Sequence, residues 1–521
     1  MRREASTDGG VIRVLRWQSL LTVSVVVLLL ACALSTAIGT ALGLAKFKDQ
    51  GYPDSATLFK VGELVHSGHI YPDPDRPPYL VTIYGPLTYV LLAPPYMLAQ
   101  ATGVTPQVQV RLGIVGAFCL CVFLIFLISR RLHNSRSIAW LCALFAVSAL
   151  PLGSWTTQIR GDFIALAFSL LSIYWFLLAN ERTQPIGAAI CAGIALLVKQ
   201  TFVAAPFTIA VWLIYRRRYK DAFFWAMVVA LTVIGGYAIA WWHEPLMLKH
   251  LAALRRPILE YRIALDIFRD AIAQPVVPFA ALGGLVVLWK RVPETILLLI
   301  YCVSAWLVAI LTLTKVGGNI NYFWEPFLAS AMLAGPALYE LQSRANRTPI
   351  IVTAMLLILL LRLFLPMLWN DFSDLRVACY ATVKDYQVRK NKWQSFVSTI
   401  SGRRLLSTIP ELTIHSTPPE IPDPFLNSEL ERRGMWNSAP VVAQINAEVF
   451  DLIIVRKGEA QGHDGDGFRG IRYRDNAMWA ALKKTYGVAC VFDEMEVWLP
   501  NGGSREIPPG LSAIGCVAPA K

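Results

Sequence analysis

The sequence predicts an α-helical polytopic membrane protein of about eleven spans, followed by a small exported α/β domain. Three observations predict this class. The 521-residue chain is 55% hydrophobic and only 16% charged, whereas about 25% of the residues in a soluble domain are charged. Apolar runs long enough to cross a bilayer recur over residues 1–366. From residue 367 to residue 521, polar residues, proline and glycine become common.

The charge pattern gives the predicted orientation in the membrane. Most lysines and arginines behind the net charge of +13 stand at the ends of apolar runs, as in the cytoplasmic loops of membrane proteins. The triplet Arg216-Arg217-Arg218 and the pair Arg130-Arg131 mark two such loops. We therefore expect a multi-pass protein of the cytoplasmic (inner) membrane, with its N-terminus in the cytoplasm and its C-terminal domain periplasmic or extracellular. The bilayer accounts for the basic charge, so no nucleic-acid partner is expected.

The spans follow from the apolar runs and from parity. The first run, Trp17–Gly43, exceeds the roughly 7–15 apolar residues of a signal peptide and predicts an anchor. Tyr84–Ala101 is also apolar, but parity and its prolines predict a helix lying along the outer surface. The later spans are expected at Leu112–Ser129, Ile138–Gly153, Phe163–Ala179, Ile186–Val198, Thr201–Tyr215, Phe223–Trp241, Ala271–Trp289, Glu294–Leu313, Phe323–Leu341 and Pro349–Leu365.

The exported domain shows a mixed pattern. Short apolar strands are predicted at Asp451–Val455 and Val488–Leu499, and a helix at Asn476–Lys484. A disulfide between Cys490 and Cys516 is possible outside the cell, although Cys379 would then remain unpaired. No C-x-x-C spacing that would indicate a metal site occurs in the sequence.

Ionisable residues at the outer ends of spans are the main functional signal. Lys199 and Gln200 interrupt a stretch that is otherwise apolar, and a cation beside hydrocarbon requires a partner or a polar cavity. At the outer ends of the predicted spans, cations suit a lipid phosphate, and a carboxylate can accept a proton from an attacking hydroxyl. The residues that share this level are Asp54, Arg160, Asp162, Lys199, Lys315, Asn319 and Asn321.

Each of these residues also has an ordinary structural explanation. Asp54 could cap the helix that begins near Ala56, and Arg160 with Asp162 could form a self-satisfied ion pair. Lys199 could extend its side chain to the interface. His66 and His69 with Glu63 could bind a metal on one helix face, although a helix facing solvent or lipid headgroups is the commoner explanation, and no cofactor is expected.

Several short stretches occur in a fixed order along the chain. They are Pro53-Asp54 with the later turn Gly68–Tyr71, then Tyr84-Gly-Pro-Leu87, Arg160-Gly-Asp162, Leu197-Val-Lys-Gln200 and Gly317–Phe323. Their order is more specific than any one of them. Together they resemble the GT-C superfamily of membrane glycosyltransferases, in particular the bacterial relatives of protein O-mannosyltransferase and lipid A aminoarabinose transferase.

The resemblance implies an inverting transfer of a sugar from a polyprenyl-phosphate donor to a lipid, glycan or protein acceptor. It makes Asp54 the catalytic base, lets Asp162 with Arg160 orient the acceptor or the surroundings of Asp54, and gives the donor phosphate to Lys199 and Lys315. The remaining substrate-binding candidates are Tyr84, Gln200, Asn319, Asn321 and Tyr322.

One departure from the family pattern bears on the base. Many relatives carry an Asp-Glu pair where this chain has Asp54-Ser55. The role of base could therefore shift to Glu63 or Asp73.

Two other classes of protein compete with this interpretation. A transporter or a flippase for lipid-linked sugars would also place ionisable groups among its spans. Such proteins often contain internal repeats; the sequence shows none, and its charges cluster on one side. The third class is an assembly subunit that keeps the fold without activity. Pentose, hexose and uronic acid donors all remain open.

Overall fold

A computed structural model of the chain defines the architecture. It describes residues 8–46, 48–49, 53–148, 155–179, 185–252, 259, 261–315, 318–344, 387–421, 423–459, 477–502 and 507–518. The predicted span Pro349–Leu365 and Cys379 lie outside these residues.

Helices dominate the described residues up to Arg344. The predicted run Ile186–Val198 is a helix with those bounds, and short 3₁₀ turns occur at Trp155–Thr157 and Ile320–Phe323. The α-helices are α1 (Asp8–Ala45), α2 (Pro53–Ser67), α3 (Pro86–Thr102), α4 (Pro106–His133), α5 (Arg136–Ser148), α6 (Asp162–Leu178), α7 (Ile186–Val198), α8 (Ala204–Tyr215), α9 (Tyr219–His243), α10 (Met247–Ala252), α11 (Tyr261–Ile272), α12 (Val276–Lys290), α13 (Pro293–Leu313) and α14 (Trp324–Arg344).

Several of these helices have the length and composition of membrane spans. Among the described residues, α1 over Val26–Ala45, α4, α9 and α13 are long and apolar enough to cross a bilayer. Helices α11 and α12 pass the same test only as a pair bent by 69°. Helix α9 exposes large apolar side chains such as Phe223 and Leu231, which suits contact with lipid. The membrane class is confirmed, while the count of eleven spans and the orientation stay predictions.

Helix α3 is the segment that was predicted to lie on the outer surface. Pro86 occupies its first turn, where the missing N–H costs little. Pro94 and Pro95 lie inside the helix and do not end it. The helix ends at Gly103, whose φ of 71° is the left-handed conformation that glycine adopts easily. The predicted helix is confirmed, and its position relative to the bilayer stays a prediction.

The C-terminal region contains a four-stranded sheet with the order β1-β2-β4-β3. Strand β1 pairs in parallel with β2, and β4 pairs antiparallel with both β2 and β3. A disulfide joins Cys490 to Cys516. The elements are α15 (387–400), β1 (Leu405–Ser407), α16 (Pro410–Thr413), α17 (Pro424–Arg432), α18 (Ala439–Asn446), β2 (Leu452–Arg456), α19 (Ala477–Thr485), β3 (Tyr486–Phe492), β4 (Met495–Pro500) and α20 (Pro509–Ala513).

The sequence predicted these strands only in part. The strand expected at Asp451–Val455 is β2, and the helix expected at Asn476–Lys484 is α19. The single strand expected over Val488–Leu499 is wrong, because this segment folds as the hairpin β3–β4. Asp493 turns the chain there with a φ of 50°. Two acidic residues in the middle of an apolar run were the turn signal.

Residues 79–83, which lie in the predicted first outer loop (residues 44–110), contribute to the core of the C-terminal region. Tyr79 and Val81 are buried together with Trp436 and the apolar face of β2. The N–H of Ile421 donates to the carbonyl oxygen of Pro78 at 2.9 Å. This loop and the C-terminal region therefore lie at the same end of the helix bundle.

A buried ion pair adds a second contact between these regions. The ammonium of Lys60 on α2 lies 3.0 Å from a carboxylate oxygen of Asp423, and both side chains are largely buried. Removing one partner of such a pair would leave an uncompensated buried charge. The first outer loop is thereby fixed between the bundle and the C-terminal region.

Candidate active site

Lys199 lies at the break between the apolar helices α7 and α8. It ends α7 with an extended backbone, and α8 begins only at Ala204. Its side chain is buried and its ammonium forms an ion pair with the carboxylate of Asp162. Asp162 stands in the first turn of α6. The pairing satisfies the requirement that a cation beside hydrocarbon find a partner.

The Tyr84-Gly-Pro-Leu87 stretch packs directly against the end of α7. A Cβ added to Gly85 would lie 1.9 Å from the carbonyl oxygen of Leu197, so only glycine allows this approach. The hydroxyl of Thr88 donates to the carbonyl oxygen of Val198 at 2.6 Å. Two motifs separated by more than a hundred residues are thereby joined next to Lys199.

Aromatic rings surround the ammonium of Lys199. It lies 5.1 Å from the ring centre of Tyr322 and 6.0 Å from that of Tyr84, within the range of cation–π attraction. The side-chain amide of Asn321 donates at 3.0 Å to Oδ1 of Asp162, the carboxylate oxygen that also binds Lys199. Five predicted site residues, Tyr84, Asp162, Lys199, Asn321 and Tyr322, are thus brought together.

A small cavity opens beside this cluster. Its volume is about 20 Å³, which is enough for one water molecule or one hydroxyl group. Its lining mixes charged, polar and apolar side chains. The lining residues are Asp162, Lys199, Thr201, Phe202, Ala305, Val308, Ala309, Thr312, Asn321, Tyr322 and Glu325.

Glu325 is a buried acid inside the predicted span Phe323–Leu341 and was not among the predicted site residues. One of its carboxylate oxygens, Oε1, accepts hydrogen bonds from the hydroxyls of Ser169 at 2.6 Å and Tyr301 at 2.9 Å. Asn321 and Glu325 are four residues apart across the junction of the 3₁₀ turn with α14, which favours a common face. An acid within the first turn of an apolar helix was the available signal.

Asp54 lies outside the cavity lining, in a fully buried pair with Arg111. One carboxylate oxygen lies 3.0 Å from the guanidinium, and the other accepts the N–H of Ile159 at 2.8 Å. Arg111 also donates to the carbonyl oxygens of Lys46 at 2.6 Å and Lys48 at 3.0 Å. Asp54 is therefore held close to the 160–162 motif, but without access to the cavity in this conformation.

The other predicted residues lie around the cluster. Arg160 is half-buried, with its guanidinium 5.2 Å from the ring centre of Trp155. Asn319 caps the 3₁₀ turn by accepting the N–H of Ile320 at 2.7 Å. Gln200 is half-buried at the break after α7, and Lys315 is exposed. Gln200, Lys315 and Asn319 do not line the cavity.

The histidines considered as metal ligands have other contacts. One ring nitrogen of His66 lies 2.7 Å from the carbonyl oxygen of Gly62, and the other 3.0 Å from the amide of Gln100. His69 lies 3.5 Å from a carboxylate oxygen of Glu244. Within the described ranges, no three His, Cys, Asp or Glu side chains are grouped as metal ligands.

Comparisons with known proteins agree on the fold. Residues 92–242, less than a third of the chain, match the family model described as dolichyl-phosphate-mannose-protein mannosyltransferase. The crystal structure of apo ArnT from Cupriavidus metallidurans is similar with a TM-score of 0.60 and 12% identity, over 94% of this chain and 99% of that chain. No curated protein sequence matches the chain.

A second solved structure shows the same fold at lower similarity. It is the archaeal oligosaccharyltransferase AglB from Archaeoglobus fulgidus, in complex with an inhibitory peptide and a dolichol-phosphate. The TM-score is 0.51 and the identity 11%, over 94% of this chain and 75% of that chain. ArnT, AglB and the mannosyltransferase family all belong to the GT-C superfamily of membrane glycosyltransferases. The chain has the GT-C fold, and the resemblance predicted from its motifs is confirmed.

Proposed function

We propose that this protein transfers a sugar from a polyprenyl-phosphate donor to a glycan, lipid or protein acceptor at the outer face of the cytoplasmic membrane. The observation that carries the proposal is the buried pair Asp162–Lys199 beside a cavity at one end of an apolar bundle. A buried ion pair that borders empty space suits a ligand of mixed charge better than a purely structural role does. The GT-C fold supplies the reaction class as an analogy.

Lys199 is the proposed contact for the donor phosphate. An ammonium compensates phosphate charge, and the rings of Tyr84 and Tyr322 keep this one in place. The cavity holds only a water-sized group in the described conformation, so the donor would stay outside it and project single groups towards the ammonium.

Asp162 is the proposed base in this geometry. The acceptor oxygen forms a bond to the anomeric carbon, the bond from that carbon to the phosphate oxygen breaks, and the acceptor proton moves to Asp162. Protonation removes the anion that neutralised Lys199, at the moment when the leaving polyprenyl phosphate gains negative charge. Positioned proton transfer supplies about 10²–10⁴-fold. A direct displacement of this kind inverts the anomeric carbon.

Asp54 keeps its expected role as base as an alternative within the same reaction. Using it would require Arg111 and the N–H of Ile159 to release its two oxygens. The neighbouring Arg160 would then be a further cation for the phosphate. Lys315 and Asn319 remain proposed contacts for a larger, opened site.

The outer location rests on two supports. The first outer loop, the cavity cluster and the C-terminal region share one end of the bundle, and the charge pattern places that end outside. The disulfide Cys490–Cys516 suits an oxidising compartment.

Release of polyprenyl phosphate tests the proposal. Purified full-length protein in liposomes would be given radiolabelled polyprenyl-phosphate mannose, glucose or arabinose with an extract of envelope glycans as acceptor. The wild type should release lipid phosphate from at least one donor, and Lys199→Gln should lose about 100-fold of this activity, because a contact that stabilises developing negative charge is removed. Lys290→Gln removes an exposed ammonium bound to Glu340 and should retain it. No release from any donor, or full activity of Lys199→Gln, would refute the proposal.

A further inference from the structure

The lining of the cavity holds a buried hydrogen-bond acceptor that the described residues leave unused. The side-chain oxygen Oδ1 of Asn321 is buried without a partner among the described residues, while its amide nitrogen binds Asp162. Glu325 uses Oε1 for Ser169 and Tyr301, and its side chain also lines the cavity. Buried acceptors are normally satisfied, so this pattern indicates a ligand group that supplies donors.

The size of the cavity limits what that group can be. A cavity of about 20 Å³ accepts one hydroxyl group and excludes a whole sugar ring. Asn321 and Glu325 stand four residues apart, on one helical face. The acceptors are therefore arranged to receive a hydroxyl that projects from a larger ligand outside the cavity.

The charges of the wall limit the ligand further. It carries the two carboxyl groups of Asp162 and Glu325 against the single ammonium of Lys199. A further carboxylate, as in a uronic acid, would stand beside like charges in a poorly solvated space. An uncharged hydroxyl can donate to Asn321 or Glu325 and still accept from Lys199.

We infer that Asn321 and Glu325 form a hydroxyl subsite that selects a neutral sugar on the donor and disfavours a uronic acid. This inference rests on the proposed function and narrows its substrate class. Neither residue takes part in bond making; both act on which donor is accepted.

The test compares two kinds of donor. Short-chain polyprenyl-phosphate mannose and arabinose are the neutral probes, and polyprenyl-phosphate glucuronic acid is the acidic probe. We expect lipid phosphate release from a neutral probe at least about 10-fold faster than from the acidic probe. Glu325→Gln should reduce this preference about 10-fold, because the amide replaces a like charge by a donor.

Two further variants make the result decisive. Asn321→Asp adds a carboxyl group to the cavity lining and should increase the preference for the neutral probe. This variant measures the preference even if Glu325→Gln fails to fold. Glu294→Gln changes an exposed acid at the far end of α13 and should leave the preference unchanged. Turnover with an unaltered preference in both cavity variants would overturn the subsite while leaving the transferase proposal standing. No release from any probe by the wild type would instead refute the transferase proposal, and the subsite with it.

Discussion

Two buried acid–base pairs lie at the same end of the bundle and differ in their surroundings. The anchored pair, Asp54–Arg111, is fully enclosed, and both carboxylate oxygens of Asp54 accept hydrogen bonds from the protein. The cavity pair, Asp162–Lys199, borders empty space and the unpartnered oxygen of Asn321.

The difference shows that residue type alone does not identify a catalytic group. Both pairs consist of an aspartate and a cation near the ends of apolar helices, at one end of the bundle. In the anchored pair, Arg111 ties Asp54 to the carbonyl oxygens after α1, which is what a structural joint requires. In the cavity pair, the ions have hydrogen-bonding capacity and space left for a ligand. We therefore expect the two pairs to respond differently to substitution.

The largest effect is expected from Asp162→Asn. The amide cannot take the proton of the acceptor, so sugar transfer should fall about 10²–10⁴-fold. The cavity has room for a water molecule beside Lys199, and the amide oxygen can still accept from its ammonium, so the loss of stability should be smaller than for a fully enclosed pair. Transfer assays and thermal unfolding of the purified protein measure the two effects. Asp221→Asn, at a half-exposed ion pair with Arg218, is the matched control, and full activity of Asp162→Asn would contradict the assignment.

Arg111→Met should lower the stability of the protein more than its transfer activity. It leaves the carboxylate of Asp54 buried without its cation, which costs about 3–5 kcal/mol of stability. Adding Asp54→Asn should recover part of the loss, and a double-mutant cycle in thermal unfolding measures the coupling. If Arg111→Met and Asp54→Asn each abolish transfer at wild-type stability, the anchored pair is catalytic and the distinction between the pairs fails.

Gly85→Ala tests how the cavity pair is positioned. The new methyl group would collide with the carbonyl oxygen of Leu197 and push the Tyr84 ring away from Lys199. A displacement of about 1 Å near a catalytic group costs up to about 10²-fold in rate, so we expect roughly a 10-fold loss of transfer. Gly116→Ala, where an added Cβ meets nothing within 4 Å, is the control. Equal activity of the two variants would show that the close packing is dispensable.

The smallest effect is expected on the pH dependence of stability, through two acids near the anchored pair. Burial raises the pKa of Glu411 to about 7, and burial together with Glu411 raises the pKa of Asp49. The N–H of Asp49 donates to Glu411 at 3.3 Å, linking the loop before Asp54 to α16.

A raised folded-state pKa means that the protonated acid is favoured in the folded protein. Its contribution to stability is full below about pH 4.5 and is lost as the pH rises through about 7. Glu411→Gln should flatten the decline in unfolding temperature between pH 5 and 8. A variant whose pH profile matches the wild type would show that the loop contact does not titrate in this range.

The sequence predicted the cavity pair better than its neighbours. Lys199, Asp162 and Asn321 were expected at one level because charge and parity assign each helix end to a side of the membrane. Those rules give no lateral order of helices, so the pairing of Arg111 with Asp54 was not predicted. Glu325 was missed because its position next to a loop resembled an ordinary helix terminus. The hairpin β3–β4 was missed because its two acidic turn residues interrupt the apolar run only briefly.

Binding of polyprenyl monophosphate, the leaving product, tests the central claim most directly, because it needs neither the sugar nor the acceptor. The affinity of full-length protein in liposomes would be measured for the wild type, Lys199→Gln and Asp54→Asn. We expect Lys199→Gln to bind at least about 10-fold more weakly, since one charge-assisted hydrogen bond is lost, and folded Asp54→Asn to bind as the wild type does. Undiminished binding by Lys199→Gln would contradict the placement of the donor phosphate at the cavity pair.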